Sequence, residues 1–227
     1  EGAKELIAPN FYDDNKEIKI PLDPTKTARE NSQKYFDRYG KLKRTAEALD
    51  TLLAETKSEI DHLESIQNSL DIALSADDLV QIKQELTEYG FIKKHRSSKK
   101  EKVKSKPFHY ISSDGYDIYV GKNNYQNDEL TFKFATGNDW WFHAKGMPGS
   151  HVVVKNKGEE MPDRVYEEAA MLAGYYSKGR ESDKIEIDYL QKKNVKKPAG
   201  SAPGFVVYYT NFSMTIHPDI SNLKLID

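Results

Sequence analysis

The sequence predicts an α+β protein. A long coiled-coil helix with a short returning helix is joined by a basic linker to a mainly antiparallel α+β domain. Three observations carry this expectation. Apolar residues from Tyr35 to Leu70 recur in alternating steps of four and three. Beyond residue 108 the chain changes to short aromatic and β-branched runs separated by turn residues. Between the two lies FIKKHRSSKKEKVKSKP, with eight basic side chains against one acid. The expected domains are therefore 1–90, 91–107 and 108–227.

Residues 5–22 read as a hairpin. Ile18, Ile20 and Leu22 alternate after Asp13-Asp14-Asn15-Lys16, a run with turn chemistry. A long helix follows Pro24. Thr27 and Glu30 stand three apart, so hydroxyl and carboxylate can each satisfy an orphan backbone N–H. Tyr35, Tyr39, Leu42, Ala46, Leu49 and Leu53, continued by Ile60 and Leu63, form a heptad seam with charged flanks. From Ala28 to Leu74 such a helix spans ~70 Å at 1.5 Å per residue. Ser75-Ala76-Asp77-Asp78 starts a second helix carrying Leu79, Ile82, Leu86 and Tyr89, which ends at Gly90. It is too short to cover the seam above Leu53. An isolated chain with this sequence is therefore expected to dimerise through residues 35–56.

The linker at 91–107 is too charged to bury a core and is expected to be flexible. After it, Phe108–Ile111 and Tyr116–Val120 read as strands around Ser112-Ser113-Asp114-Gly115. Asn127 or Asp128 is expected to cap a short helix through Phe134. Trp140–His143 and His151–Lys155 read as further strands. Pro162 to Tyr176 is an amphipathic helix with Val165, Ala169, Leu172 and Tyr176 on one face. Strands at Ile185–Leu190, Phe205–Tyr209 and Met214–His217 complete the pattern.

Composition narrows the function classes. The 227 residues hold 34 Lys and Arg against 36 Asp and Glu, but unevenly. Residues 1–90 carry 12 basic and 19 acidic groups, and the positive charge concentrates in 91–107. Such a footprint suits a polyanion. With no cysteine, disulfides, thiolate catalysis and zinc–cysteine sites are excluded. No apolar run approaches the ~20 residues of a membrane-spanning helix, so membrane insertion is not expected. The chain opens EGAKELIAPN without Met and is expected to be a piece of a longer protein.

His109, His143 and His151 with Asp139 offer a conceivable metal set, yet no HExxH-type spacing supports it, and neither metal nor other cofactor is expected. A Ser150–His151–Asp139 hydrolase triad fails because neighbours on a strand point to opposite faces. The chain is accordingly read as a non-enzyme. The remaining candidates are RNA contacts. Lys122, Asn123 and Asn124 follow a strand and present amides and a cation, as nucleotide recognition requires. Asp128, His143, Ser150 and His151 add donors and acceptors beside Trp140 and Trp141. Lys192, Lys193, Lys196 and Lys197 form a basic loop before the Gly200–Gly204 turn. The NN loop and the PGSH turn are expected to share one polar surface.

GKNNYQND, DWWFHAKGMPGSHVVV, AAMLAGYYSKGRES and DYLQKKNVKKPAGSAPGFVVY together resemble the RNA-binding domain of the NFACT family. The hairpin, long helix and FIKKH segment are similar to that family's middle coiled coil. The resemblance implies a protein that binds stalled large ribosomal subunits carrying peptidyl-tRNA, contacts rRNA, and recruits tRNA for template-free C-terminal tailing. It places the protein in the cytoplasm, on the ribosome. Carried over by position, the motif residues are Gly121, Asn123, Asn124, Asn127, Asp128, Asp139, His143, Pro148, Gly149, Ser150, His151, Lys196, Lys197 and Pro198. Lys122 stands where the family more often has Arg, which keeps a phosphate contact but loses a bidentate one. The family is also named for binding fibronectin, so a cell-surface adhesin without a visible signal peptide is the alternative function.

Overall fold

The computed structural model describes residues 2–93 and 105–226. Most of the basic connector expected at 91–107 therefore lies outside the described residues. Contacts divide the chain into two compact units, Glu1–Ser58 and Glu59–Asp227, with the boundary inside the long helix.

In the first unit, β1 (Glu5–Asn10) pairs antiparallel with β2 (Lys16–Pro21). The turn holds Asp14 and Asn15 at positive φ, the left-handed conformation that short polar side chains tolerate. Helix α1 (Ala28–Ile72) begins at the expected box. Glu30 accepts from the backbone and hydroxyl of Thr27, each at 2.8 Å, and the Thr27 hydroxyl accepts from Glu30 N at 3.3 Å. Asn31, buried at this corner, accepts from Asp23 N at 2.8 Å, and Tyr35 Oη donates to Pro21 O at 2.5 Å. These bonds hold the hairpin against the first turns of the helix. Further along, Tyr39, Leu42, Leu49 and Leu53 are exposed, which leaves the apolar seam uncovered.

The second unit opens with the last turns of α1 and with α2 (Ala76–Glu88). Ser75 and Asp78 make a complete capping box. Seven antiparallel strands follow: β3 (Phe108–Ile111), β4 (Asp117–Val120), β5 (Trp140–Ala144), β6 (Val152–Val154), β7 (Ile185–Gln191), β8 (Phe212–Ile216) and β9 (Lys224–Leu225). Their order across the sheet is β8-β7-β5-β6-β4-β3-β9. The alternation of side chains splits the core. Phe142, Val152 and Val154 face α4 (Asp163–Tyr175) with Val165, Ala169 and Leu172, while Trp141, Val153 and Leu190 meet Leu130 and Val195 on the other face. With both faces covered, β6 reads VVV instead of alternating with polar residues.

Two sequence expectations are corrected. The short helix α3 (Asn124–Glu129) is capped by Asn123, not by Asn127 or Asp128, and a π-helical turn (Leu130–Phe134) continues it. Asn123 is extended at φ −158° and its side chain accepts from Gln126 N, which is what an N-cap needs. Phe205–Tyr209 is not a strand; it makes a single bridge, Lys196 with Val207. Its pairing partner is interrupted by a 3-10 turn at Lys192–Asn194 and by Pro198, which has no N–H to donate.

Candidate nucleic-acid interface

The NN loop and the PGSH turn do come together, but mostly as buried structure. Gly121 N donates to His151 O at 3.1 Å, and Ser150 Oγ donates to Gly121 O at 2.6 Å. His151 N donates to Asn127 Oδ1 at 3.0 Å, and its Nδ1 lies 2.8 Å from Thr131 Oγ1. A Cβ on Gly121 would sit 2.1 Å from Asn127 Oδ1, so only glycine permits this closure. Ser150 and His151 are each only 1 % exposed. The expectation that both present themselves to RNA is therefore corrected. Their polar atoms are spent on joining two loops, because a buried donor or acceptor left unpaired is costly.

Asn123 and Asn124 are likewise buried, turned toward the helices instead of solvent. Asn123 Nδ2 donates to Gln81 Oε1 at 2.9 Å. Asn124 Nδ2 donates to Ser65 Oγ at 2.7 Å and to Glu85 Oε1 at 2.9 Å. The same Glu85 oxygen lies 2.7 Å from His62 Nε2. Lys122 pairs with Asp78 at 3.2 Å and lies over the Phe108 ring, 4.4 Å from its centroid. Burial pushes the Asp78 carboxyl upward, but hydrogen bonds from Ser105 and Leu74 and the Lys122 charge outweigh it and hold it below the ordinary range. Sequence reasoning missed Ser65, Gln81 and Glu85. A signal existed: Asp78, Ile82 and Glu85 recur at helical spacing on one buried face, so two acids occupy core positions.

His143 is half-buried. Its ring stacks on Trp141 at 5.6 Å and meets His151 edge-on at 5.5 Å. Burial drives its pKa down to about 4, partly offset by a hydrogen bond to the Gly149 backbone and by the Asp188 charge. Burial, and then the neighbouring His143, push His151 well below the ordinary value. Both imidazoles are thus neutral near pH 7 and offer no cation to phosphate. Asp139 takes part in neither histidine; it accepts from Thr136 N, Lys155 Nζ and Asn156 N at 2.7, 2.5 and 2.9 Å. Pro148 and Gly149 hold the turn through Pro148 O, which accepts from Lys178 N at 2.9 Å, and through a bridge to Ser177. Among the described residues no cluster of three His, Asp or Glu could hold a metal ion.

The basic loop stays at the surface. Lys192 Nζ lies 5.7 Å from the Phe132 centroid. Lys197 pairs with Asp128, whose other oxygen accepts from Gly204 N at 3.0 Å. Lys193 and Lys196 are exposed and form no ion pair among the described residues. Of the cations that the sequence nominated, these two are exposed and unpaired among the described residues, while Lys192 is half-buried and also without an ion pair there. A groove of about 290 Å³ lined by Gln81, Gln84, Tyr125, Asp128, Glu129 and Lys133 carries two acids against one lysine, a poor cradle for phosphate.

Comparison with known proteins matches the chain to two family models, whose boundary at 105/106 lies apart from the contact boundary at Ser58/Glu59. Residues 1–105 match the NFACT N-terminal and middle domains, and residues 106–209 match the NFACT protein RNA binding domain. The chain is 42 % identical over 216 residues to the Rqc2 homolog RqcH of Streptococcus pneumoniae, covering 95 % of this chain and 38 % of that protein. It is 36 % identical over 222 residues to the Rqc2 homolog RqcH of Bacillus subtilis, covering 96 % and 38 %. The solved C-terminal part of the fibronectin/fibrinogen-binding protein from Streptococcus suis superposes with a TM-score of 0.77 at 42 % identity, covering 86 % of this chain and 77 % of that one. The chain thus spans 38 % of the length of these two curated relatives. No helix among the described residues is long and apolar enough to cross a membrane.

Proposed function

Since the chain belongs to the NFACT family, we propose that it is the RNA- and ribosome-contacting part of a ribosome-associated quality-control factor. It acts as a binding module and not as an enzyme. The whole protein engages large ribosomal subunits that carry a stalled peptidyl-tRNA, in the cytoplasm, and brings tRNA for C-terminal tailing. The observation that carries this reading is the match of residues 106–209 to an RNA-binding domain in which Lys193 and Lys196 are exposed and uncommitted. Asp128 on α3 supports the reading indirectly, since its pair with Lys197 and the bond it accepts from Gly204 N fix the loop that carries those lysines.

Co-sedimentation tests it. The chain is expected to pellet with purified large subunits at physiological salt and to return to the supernatant as salt rises, since phosphate contacts release counterions. A chain that stays in the supernatant at every salt concentration contradicts the proposal. A second reading, binding of fibronectin, rests on the name of the Streptococcus suis relative. Retention of the chain on immobilised fibronectin, and not on an albumin control, would support it.

A further inference from the structure

We propose that Phe205 and Tyr209 are stacking positions for unpaired RNA bases, with Lys193 and Lys196 holding the flanking phosphates. This rests on the RNA-binding reading and specifies its ligand: single-stranded segments with accessible base faces.

The arm that ends at Phe205–Tyr209 divides its side chains between the core and solvent. Val195 is buried, and Val206 and Tyr208 pack beside it against Trp141, Val153 and Leu190. Phe205 and Tyr209 point the other way and are 55 % and 83 % exposed. One exposed ring is ordinary on a protein surface. Two on the outward side of a fixed arm, beside two unpaired cations, form a pattern that folding does not require.

The arm is held from several sides. Lys196 and Val207 exchange backbone hydrogen bonds of 3.0 and 2.9 Å. Tyr208 Oη donates to Asp188 Oδ2 at 2.9 Å. Gly204, at φ +77°, brings the chain so close to the NN loop that a Cβ there would lie 2.7 Å from Asn124 Oδ1. The buried asparagine thus sets where the arm lies. Counted outward from the antiparallel Lys196–Val207 bridge, Asn194 and Tyr209 fall toward one end and Pro198 and Phe205 toward the other. Lys193 belongs to the Tyr209 end.

Chemistry selects the partner. In a duplex the base faces are covered by neighbouring pairs, and rings on a protein surface cannot reach them. Unpaired bases offer a π-face whatever their identity, and surfaces that bind single strands combine aromatic rings with lysine or arginine in this way. Charge complementarity favours a phosphate backbone over an acid-poor polypeptide.

The test is fluorescence anisotropy with a labelled single-stranded RNA of mixed sequence and a duplex of equal length. Phe205→Ala with Tyr209→Ala is expected to weaken single-strand binding roughly tenfold or more, because stacking on one ring is worth about 5- to 150-fold. The slope of log affinity against log salt should not change, since no charge is lost. Tyr209→Phe should bind as the parent does, and the parent should prefer the single strand. Both side chains are exposed, so unchanged melting temperatures accompany these effects. Parent-like affinity in the double alanine variant overturns the stacking while leaving RNA binding intact. A parent chain that binds neither RNA overturns the underlying reading as well, and tighter binding to duplex than to single strand overturns the choice of ligand.

Discussion

Acidification from about pH 7.5 to about pH 4 is expected to remove roughly 3 kcal/mol of folding stability through His143 alone, with a further loss through His151. The folded-state pKa of His143 lies at about 4 against an ordinary 6.5, because burial beside Trp141 and His151 disfavours the imidazolium. A lowered histidine pKa means that the unfolded chain binds more protons between the two values. Stability is therefore fully present above pH 6.5 and is lost as pH falls toward 4. Burial notwithstanding, hydrogen bonds and lysine charge hold the carboxyls of Asp78 and Asp139 below the ordinary range, so their contribution begins to fall only at the acid end of this window and is lost mainly below it. Urea denaturation across this range reads the effect. The parent should lose stability steadily below pH 6.5, and His143→Gln should flatten that dependence. Level stability from pH 7.5 to 4.5 would show that His143 is not held neutral.

The second large effect belongs to Glu85. Its carboxylate is fully buried, accepts from Asn124, and lies within hydrogen-bonding distance of His62, while its Oε2 has no partner among the described residues. Replacing it with Ala leaves Asn124 with Ser65 as its only remaining acceptor among the described residues and takes the His62 ring's partner away, a loss of about 1–3 kcal/mol for buried polar groups left unsatisfied. Glu85→Gln keeps one acceptor oxygen in place and should cost less than half as much. Asn124→Ala, which removes the partner from the other side, should couple with Glu85→Ala in a double-mutant cycle instead of adding to it. Denaturation free energies for Glu85→Ala within about 0.5 kcal/mol of the parent, the range of ordinary surface changes, would contradict the role given to it.

Much of the fold was legible because its signals are local. Thr27 with Glu30 and Ser75 with Asp78 mark helix starts within four residues, and both boxes form. Alternation and turn chemistry find the strands for the same reason. The arm at Phe205–Tyr209 misleads because its β-like composition has too little regular partner to pair with. The meeting of the NN loop and the PGSH turn was legible, but what their side chains do was not. Asn124 finds Ser65 and Glu85 at separations of 59 and 39 residues, so nothing near it in sequence reveals that its amide is already used. His151 meets Thr131 and Asn127 in the same way. Polar residues grouped beside aromatics look alike in sequence whether they face solvent or stitch loops together. Exposure separates the two cases: it leaves Lys193 and Lys196 open to the contacts proposed above and the asparagines and His151 as scaffold.

That division is tested most directly by the salt dependence of RNA affinity in the parent and in Lys193→Ala with Lys196→Ala. For single strands, log affinity should fall linearly with log salt by about 0.7 for each phosphate neutralised. The parent should show a clear negative slope, and the lysine variant a slope shallower by about 1.4 with its melting temperature unchanged. An affinity indifferent to salt, or a lysine variant with the parent's slope, would contradict phosphate binding by this loop.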